Sequence, residues 1–256
     1  MRYLALFYSL TCYLLGVLAL VTLILFIEGL GLPVTMNDAS FLSPEFEVFP
    51  AIAANVALIL LWGLQHSVMA DPRFKTWWTR YVPRVIERST FVLCTAISTG
   101  LLMLFWSPIP ITLWDTSGTP LALILCAGYF LGWAVTLFAT FLINHFHLFG
   151  LEQAYRYMRG TKSKAAAFVT PLLYRVVRHP MMTGVLISLW CAPHMTVGRL
   201  VFNITMTAYI LVGTRHEEET LVAELGEAYL AYRKTTPMLL PRFRPKPPRQ
   251  RPFATE

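Results

Sequence analysis

The sequence predicts an all-α integral membrane protein with four long transmembrane helices, a C-terminal helical hairpin and a cytoplasmic amphipathic helix. Three observations support this fold class. The chain of 256 residues is 56% hydrophobic and only 14% charged, whereas about a quarter of the residues in a soluble domain are charged. Its apolar residues are gathered in blocks close to the roughly 20 residues that cross a bilayer. Its basic residues are concentrated between those blocks, as in membrane proteins with several spans.

The first four apolar blocks are long enough to span a membrane. They cover residues 6–27, 49–69, 90–106 and 121–143. Each of the first three ends at helix-breaking residues: Glu28 with the glycines after it, then Asp71-Pro72, then Pro108. The first block has no small-residue cleavage site, so we expect a retained helix and no removed signal peptide.

Two later apolar blocks, residues 181–192 and 200–212, are shorter and are separated by a segment that contains Pro193 and Gly198. At about 1.5 Å per residue, neither block reaches comfortably across a hydrocarbon core about 30 Å thick. We therefore predict a helical hairpin that packs against the other helices.

Basic residues alternate between the connecting segments. Segments 28–48 and 107–120 contain no Lys or Arg, whereas segments 71–88, 144–180 and 214–256 contain five, six and eight. Because basic residues accumulate on the cytoplasmic side of membrane proteins, this alternation places both termini in the cytoplasm. The net charge of +7 therefore reflects topology and contact with membrane lipid, and we expect no nucleic-acid partner.

The chain is predicted to divide into three regions. A four-helix transmembrane region covers residues 1–143, and a catalytic region with the hairpin and the cytoplasmic helix covers residues 144–240. A basic, proline-rich tail covers residues 241–256. Such a tail cannot build a core, so we expect it to be disordered and to contact lipid headgroups.

A first polar cluster, residues 144–153, follows the fourth span and contains His145 and His147. Histidines two residues apart do not share a helical face, and the four cysteines lie in separate apolar blocks without a C-x-x-C pair. We therefore predict no metal site. Two interpretations remain: interfacial groups hydrogen-bonded to a helix end, or a small-molecule site beneath the fourth span.

A second cluster contains Arg178, His179 and Pro180. Proline is tolerated in the first turn of a helix, so this cluster places an Arg and a His at a helix N-terminus. Such an arrangement suits an anion such as a carboxylate. The alternative is a basic anchor beside lipid phosphates.

A third cluster begins with Glu217–Glu219, three acids next to a membrane helix in a segment predicted to be cytoplasmic. Acids there are unfavourable near an anionic leaflet unless cations accompany them; the alternative is a solvated charged face. Leu221, Leu225, Tyr229 and Tyr232 then recur at helical spacing, which predicts an amphipathic helix over the site. Together, the second and third clusters suit a zwitterion. S-adenosylmethionine is one such molecule, and the composition permits it without selecting it.

Two motifs in these clusters resemble the membrane methyltransferases of the isoprenylcysteine carboxyl methyltransferase and phospholipid methyltransferase superfamily. The matching residues are Val169, Thr170, Tyr174, Arg175, Arg178, His179, Pro180 and Gly184, followed by Glu217, Glu218, Leu221, Gly226, Tyr229, Tyr232 and Pro237. Three positions depart from the superfamily pattern. They are Met182 and Leu225, where the pattern has aromatic residues, and Thr236, where it has valine.

A resemblance that covers nearly the whole chain is to the bacterial methanethiol S-methyltransferases. It rests on residues 141–151, 173–175, 181–184, 190–196 and 236–239. This resemblance implies an S-adenosylmethionine-dependent enzyme of the bacterial inner membrane that converts methanethiol, a small volatile thiol, into dimethyl sulfide. The chain lacks the Gly-rich G-x-G-x-x-G turn of soluble nucleotide-binding folds, so side chains at helix ends would hold the cofactor.

The resemblance and the clusters together give a set of expected site residues. The cofactor-binding residues would be Tyr174, Arg178, His179, Gly184, Glu217, Glu218 and Tyr229. The methyl acceptor would pass Met181, Met182 and Trp190. The catalytic residues would be His145, His147 and Arg178, with one histidine helping to form the thiolate.

Two alternatives remain open at this stage. One is a methyltransferase for a lipid-like acceptor, such as an isoprenylcysteine or a phospholipid amine. The other is a non-catalytic membrane protein related to a nitric-oxide-associated (NnrU-like) family, which would use His145, His147 or His66. For His66, within the second span, we favour a hydrogen bond between packed helices.

Overall fold

The computed structural model describes residues 1–38, 42–44, 46–161 and 169–241, and all structural statements below refer to these ranges. Within these ranges the chain forms ten α-helices, one short 3-10 helix (Leu172–Arg175) and two short strands. The α-helices and strands are α1 (Arg2–Glu28), α2 (Val48–Ala70), α3 (Pro72–Trp78), α4 (Arg84–Leu104), β1 (Thr112–Asp115), α5 (Pro120–Ile143), α6 (His145–Leu148), α7 (Leu151–Arg159), α8 (Pro180–Trp190), β2 (His194–Thr196), α9 (Val197–Leu225) and α10 (Glu227–Thr235).

Five of the described helices, namely α1, α2, α4, α5 and α9, are long and apolar enough to cross a membrane. The predicted class of helical membrane protein is therefore confirmed, and the predicted number of long spans is too small by one. Segment 200–212 is not a short hairpin arm but the centre of the 29-residue helix α9. The hydroxyl of Thr196 caps the start of this helix by accepting a hydrogen bond from the Arg199 amide at 3.2 Å.

Helix α9 continues through the acidic residues because nothing in them breaks a helix. It ends at Gly226, whose φ of +58° is one that L side chains rarely adopt. The predicted amphipathic helix is therefore divided: residues 217–225 form the last turns of α9, and the separate helix α10 carries Tyr229 and Tyr232.

The long helices run alternately in opposite directions, so the bundle has two ends. Tyr13 on α1 contacts His145 just after α5, with the hydroxyl 3.0 Å from Nε2. The Thr136 hydroxyl, near the end of α5, donates to the Met181 carbonyl at the start of α8 at 3.1 Å. Arg178 therefore lies at the end where α1 begins and α5 finishes, which we call the Arg178 end. The opposite end carries Glu28, and we call it the Glu28 end.

Helices α5 and α8 pack closely because small residues face each other across their contact. A Cβ atom added at Gly184 would lie 2.5 Å from the Gly132 carbonyl oxygen and 2.4 Å from the Thr136 hydroxyl. The Ser188 hydroxyl donates to the Tyr129 carbonyl at 2.8 Å. Close contact of this kind is what glycine allows in membrane helices. Gly184 therefore allows α8 to pack closely against α5.

Helix α8 is short, as predicted, and residues 191–196, which connect it to α9, are not helical. Residues 194–196 pair with β1 as a two-stranded antiparallel sheet at the Glu28 end, which corrects the purely helical prediction. Polar side chains satisfy the backbone there. The Asn203 amide donates to the Leu189 carbonyl at 2.6 Å, and the Trp114 indole donates to the Ala192 carbonyl at 3.0 Å. Irregular backbone within a membrane protein needs such partners.

A buried ion pair also stabilises the Glu28 end. Arg199 Nη2 lies 2.7 Å from Glu28 Oε2, and their side chains are only 4% and 8% exposed. The same guanidinium lies over the ring of Tyr129, with Cζ 5.6 Å from the ring centroid. This pair joins the end of α1 to the beginning of α9.

Two sequence-based predictions, the disordered tail and the division into regions, are not tested by the described residues. The tail prediction falls on residues 242–256, which lie outside the described residues, as do residues 162–168 of the predicted catalytic region. The division of the chain into regions 1–143, 144–240 and 241–256 stays a prediction.

Candidate functional site

The two sequence motifs meet at the Arg178 end of the bundle. The Arg178 amide donates to the Pro237 carbonyl at 2.9 Å, and the His179 amide donates to the Met238 carbonyl at 3.1 Å. Pro180 then begins α8 in the first turn, as predicted. The segment after α10 is thereby fastened to the segment before α8, so that residues far apart in sequence build one site.

Arg178 and Glu218 form the centre of this site. Arg178 Nε donates to Glu218 Oε1 at 2.6 Å, and their side chains are only 8% and 4% exposed. Arg178 Nη1 donates to the carbonyls of Arg233 (3.1 Å) and Thr236. Because a buried charge is stable only when paired and hydrogen-bonded, the two side chains depend on each other.

Three further groups complete an arrangement that we call the Glu218 network, which comprises Arg178, His179, Glu217, Glu218 and Arg233. His179 Nε2 lies 3.2 Å from Glu218 Oε1, and its Nδ1 lies 3.5 Å from Glu217 Oε2. Arg233 Nε lies 3.4 Å from Glu218 Oε2. The side chains of Glu217 and Arg233 are 53% and 49% exposed. The network therefore has a buried centre and two half-exposed groups of opposite charge.

The network differs in one respect from the sequence-based expectation. The second and third clusters predict that Arg178 and His179 bind one end of a zwitterion and that the glutamates bind the other. Instead, Arg178 and His179 contact Glu218 directly. The reason is packing: the start of α8 and the end of α9 lie side by side, and burying either charge alone would cost several kcal/mol.

Three tyrosines border the network. The Tyr232 hydroxyl donates to the Tyr174 carbonyl, and the ring of Tyr229, 2% exposed, lies 5.9 Å from that of Tyr232. Burial, reinforced by the negative charge of Glu218, raises the pKa of Tyr229 to about 12. Burial also raises the pKa of Tyr232 to about 12. At neutral pH both phenols are therefore protonated and do not serve as bases.

The hydroxyl of Tyr174 is a candidate ligand contact. Its oxygen is buried and has no hydrogen-bond partner within the described residues. Burial, together with the negative charge of Glu217, raises the pKa of Tyr174 above its ordinary value. A buried hydroxyl without a hydrogen-bond partner lowers the stability of a folded protein. A polar group of a bound ligand would supply the hydrogen bond.

The structure places His145 in a different part of the Arg178 end. Its Nδ1 lies 2.7 Å from the Thr140 hydroxyl, its Nε2 lies 3.0 Å from the Tyr13 hydroxyl, and its ring stacks on Phe141 at 4.2 Å. The side chain is buried, and burial lowers the pKa of His145. Both ring nitrogens are thus engaged, which is the hydrogen-bonded interpretation of the first cluster. His147 is exposed, and the catalytic role of both histidines stays a prediction.

The predicted acceptor-binding residues are divided between the two ends of α8. Met181 and Met182 follow Pro180 directly in the first turn of α8, and Met182 packs against the apolar core of the bundle. Trp190 is at the other end of the helix, roughly 14 Å along its axis, and its indole donates to the Thr207 hydroxyl at 3.1 Å. Trp190 is 44% exposed, whereas Gly184 lies in the α5–α8 contact; the predicted roles of these residues stay predictions.

His66 contacts its neighbours within the bundle. Its Nδ1 lies 3.5 Å from the Thr95 hydroxyl, and its ring stacks on Trp62 at 5.3 Å. Trp62 lies on the same helix, whereas Thr95 and Phe91, whose ring centroid is 4.9 Å from that of His66, lie on α4. The contacts to α4 agree with a role in helix packing.

Arg233 and the Tyr232 hydroxyl belong to the site but were absent from the sequence-based set. Tyr232 matches the second motif, and Arg233 follows it directly. The sequence does not predict that Arg233 contacts Glu218, because this contact depends on the packing of α10 on α9.

A cavity of about 470 Å³ lies elsewhere, between α1, α6 and α7. Its polar lining is Asn144 and Glu152, which are hydrogen-bonded to each other, and the rest is apolar. The cavity shares no lining residue with the Glu218 network. Within the described ranges, no group of three or more His, Cys, Asp or Glu side chains is suited to hold a metal ion.

Proteins similar to this chain include enzymes with a stated activity. A methanethiol S-methyltransferase from Pseudomonas sp. is 41% identical over 237 residues, which are 93% of this chain and 90% of that protein. One from Mycobacterium tuberculosis is 42% identical over 240 residues, 94% of this chain and 97% of that protein. Human nurim is 32% identical over 184 residues, 68% and 67% of the two chains. No protein-family model and no solved structure matches significantly.

Proposed function

The chain belongs to the methanethiol S-methyltransferase family, and from that premise we propose that it transfers a methyl group from S-adenosylmethionine to methanethiol, giving dimethyl sulfide. The observation that carries the proposal is the Glu218 network, in which two distant motifs build one polar site at the Arg178 end. Helix α8 follows this site directly, and we assign the apolar residues of its first turn, Met181 and Met182, to the small apolar thiol.

The residues present fit S-adenosylmethionine. The unpartnered, buried hydroxyl of Tyr174 offers a hydrogen bond to a polar group. The half-exposed carboxylate of Glu217 suits the ammonium or ribose hydroxyls, and we assign the ring of Tyr229 to the adenosyl group. When bound, the cofactor would supply an electrophilic methyl group on its sulfonium for in-line transfer to a thiolate.

The protein's own contribution is positioning and exclusion of water. The ion pair of Arg178 with Glu218 fixes the end of α9 against the start of α8, and His179 links both glutamates to the same segment. Rigid walls of this kind lower the entropy cost of bringing two reactants together. The thiol sulfur forms a bond to the methyl carbon as the bond to the sulfonium breaks. The thiol first loses its proton to solvent water, because the thiolate is the nucleophile, and S-adenosylhomocysteine is the leaving group.

We place the site on the cytoplasmic face of a bacterial inner membrane, with both termini on that side. The support is the distribution of charge. The basic segments that contain Arg73 and Arg84 lie at the same end as Arg178, whereas the opposite end carries connectors without Lys or Arg. A cytoplasmic site is accessible to a charged cofactor, and an apolar thiol reaches it through the bilayer.

An assay of the full chain in membrane vesicles tests this function. With S-adenosylmethionine and methanethiol supplied, gas chromatography of the headspace should detect dimethyl sulfide. Vesicles with a Glu218→Gln variant should produce far less, and those with Glu219→Gln, which alters a neighbouring side chain that is 78% exposed, should match the unmodified chain. Methylation of membrane lipid without dimethyl sulfide would instead support a lipid-like acceptor.

A further inference from the structure

Arg233 differs from the other cationic groups in the Glu218 network. Arg178 uses Nε on Glu218 and Nη1 on two backbone carbonyls, and its side chain is 8% exposed. His179 has a carboxylate oxygen near each ring nitrogen and is also 8% exposed. The nearest atoms of Arg233 and Glu218 are Nε and Oε2, 3.4 Å apart, and the Arg233 side chain is 49% exposed.

Glu218 holds Arg233 less closely than Arg178, because the nearest atoms are 3.4 Å apart in the first pair and 2.6 Å in the second. With Nε 3.4 Å from Glu218 Oε2, no hydrogen bond to the two terminal nitrogens is formed within the described residues. Planar guanidinium groups bind carboxylates through two parallel hydrogen bonds, which are stronger than single neutral ones. Arg233 therefore presents unused donors of this kind at the exposed side of the network.

The backbone beneath Arg233 is held in place. Its carbonyl accepts a hydrogen bond from Arg178 Nη1 at 3.1 Å, and the neighbouring Tyr232 hydroxyl donates to the Tyr174 carbonyl. Helix α10 is thereby fastened to the segment before α8 on both sides of Arg233. Ordering the guanidinium for a ligand costs less when its helix is already fixed.

We propose that Arg233 binds the carboxylate of the methyl donor, and so selects a donor with a complete amino-acid group. This inference rests on the proposed function and revises the expectation that Arg178 and His179 bind that carboxylate. Glu217, the other half-exposed group of the network, lies next to His179 and takes the ammonium. The two opposite charges then match the two ends of the zwitterion.

Calorimetry with two ligands tests the role of Arg233 on the purified full chain. The ligands are S-adenosylmethionine and its decarboxylated analogue, which keeps the sulfonium, the adenosyl group and the ammonium. Arg233→Gln should weaken binding of S-adenosylmethionine by about 10- to 100-fold, the value of a charged hydrogen-bonded contact. Binding of the analogue should be unchanged, because it lacks the carboxylate that Arg233 is proposed to bind.

Matched variants separate recognition from structure. Lys234→Gln removes the same charge from the next residue, which is exposed, and should change neither affinity. Arg233→Lys keeps a cation near Glu218 and should weaken only the complete donor, by less than the Gln variant. An equal loss for both ligands would show that Arg233 merely supports Glu218, and no loss for either would also overturn the proposal. Failure of the unmodified chain to bind either ligand would instead refute the proposed function.

Discussion

Glu218 Oε1 accepts a hydrogen bond from Arg178 Nε at 2.6 Å and lies 3.2 Å from His179 Nε2. One carboxylate oxygen thus joins α9 to both residues that precede α8. This relationship explains why the two motifs occur together in the sequence: each supplies charges that the other must neutralise in a buried position. The stability of the site and its ability to bind a ligand are therefore linked.

Glu218→Gln is expected to destabilise the protein as well as to reduce activity. Loss of the carboxylate leaves Arg178 buried without its counter-charge, and breaking a buried ion pair costs about 3–5 kcal/mol. Thermal unfolding of the purified chain in detergent should show a clearly lower midpoint. Glu219→Gln, with a side chain 78% exposed, serves as the control and should unfold like the unmodified protein. Equal midpoints for all three would contradict the account of Glu218 as a buried partner.

The ion pair of Glu28 and Arg199 is expected to stabilise the bundle without taking part in catalysis. Arg199→Met should destabilise the fold by about 3–5 kcal/mol, because Glu28 is then left buried and unpaired. The double variant Glu28→Gln/Arg199→Met should lose less than the sum of the single variants, with a coupling of about 1–3 kcal/mol. Denaturant unfolding gives these values. Strict additivity would show that the two groups are not coupled.

Gly184→Ala is expected to separate α8 from α5. The new methyl group would lie 2.4 Å from the Thr136 hydroxyl and 2.5 Å from the Gly132 carbonyl oxygen. Overpacking of this kind costs about 1–3 kcal/mol. The matched control is Gly213→Ala on α9, where an added Cβ meets no atom within 4 Å and alanine is the better helix former. Thermal midpoints should fall for the first variant and stay level or rise for the second; a tolerated Gly184→Ala would refute the close contact.

His145 should make the fold sensitive to acid. Burial lowers the pKa of His145, so the unfolded chain binds its proton more readily than the folded chain does. Stability contributed by the neutral ring is therefore complete above the ordinary pKa of about 6.5 and is lost as the pH falls below it. Unfolding midpoints measured between about pH 7.5 and pH 5 should decline less in His145→Gln than in the unmodified chain. The exposed His147→Gln should leave the decline intact, and an identical decline in His145→Gln would disprove the assignment.

Much of the fold follows from the sequence because hydrophobicity depends mainly on local composition. The four leading spans and the short helix α8 are each bounded by charges, glycines or prolines near the observed ends. The length of α9 does not follow in this way, because the change from apolar to acidic residues at Glu217 leaves the helix intact. The strands at residues 112–115 and 194–196 are also too short for a sequence pattern, and they form because each needs the other for its backbone hydrogen bonds.

The sequence predicts which residues form the site, but it does not predict which of them contact each other. Arg178, His179, Glu217 and Glu218 come together as the two motifs predicted. That Arg178 contacts Glu218 directly, and that Arg233 is the half-exposed cation, depends on how α8, α9 and α10 pack. His145 is a different case. Its position in the sequence predicts a catalytic role, which stays a prediction, and only the structure shows that Tyr13 and Thr140 contact its two ring nitrogens.

The most direct test of the central claim follows the transferred methyl group itself. The purified full chain is supplied with unlabelled methanethiol and with S-adenosylmethionine that carries a trideuterated sulfonium methyl, and the headspace is analysed by mass spectrometry. The account predicts dimethyl sulfide in which one methyl group is trideuterated and the other is unlabelled. Unlabelled dimethyl sulfide, or none above a control without protein, would contradict it.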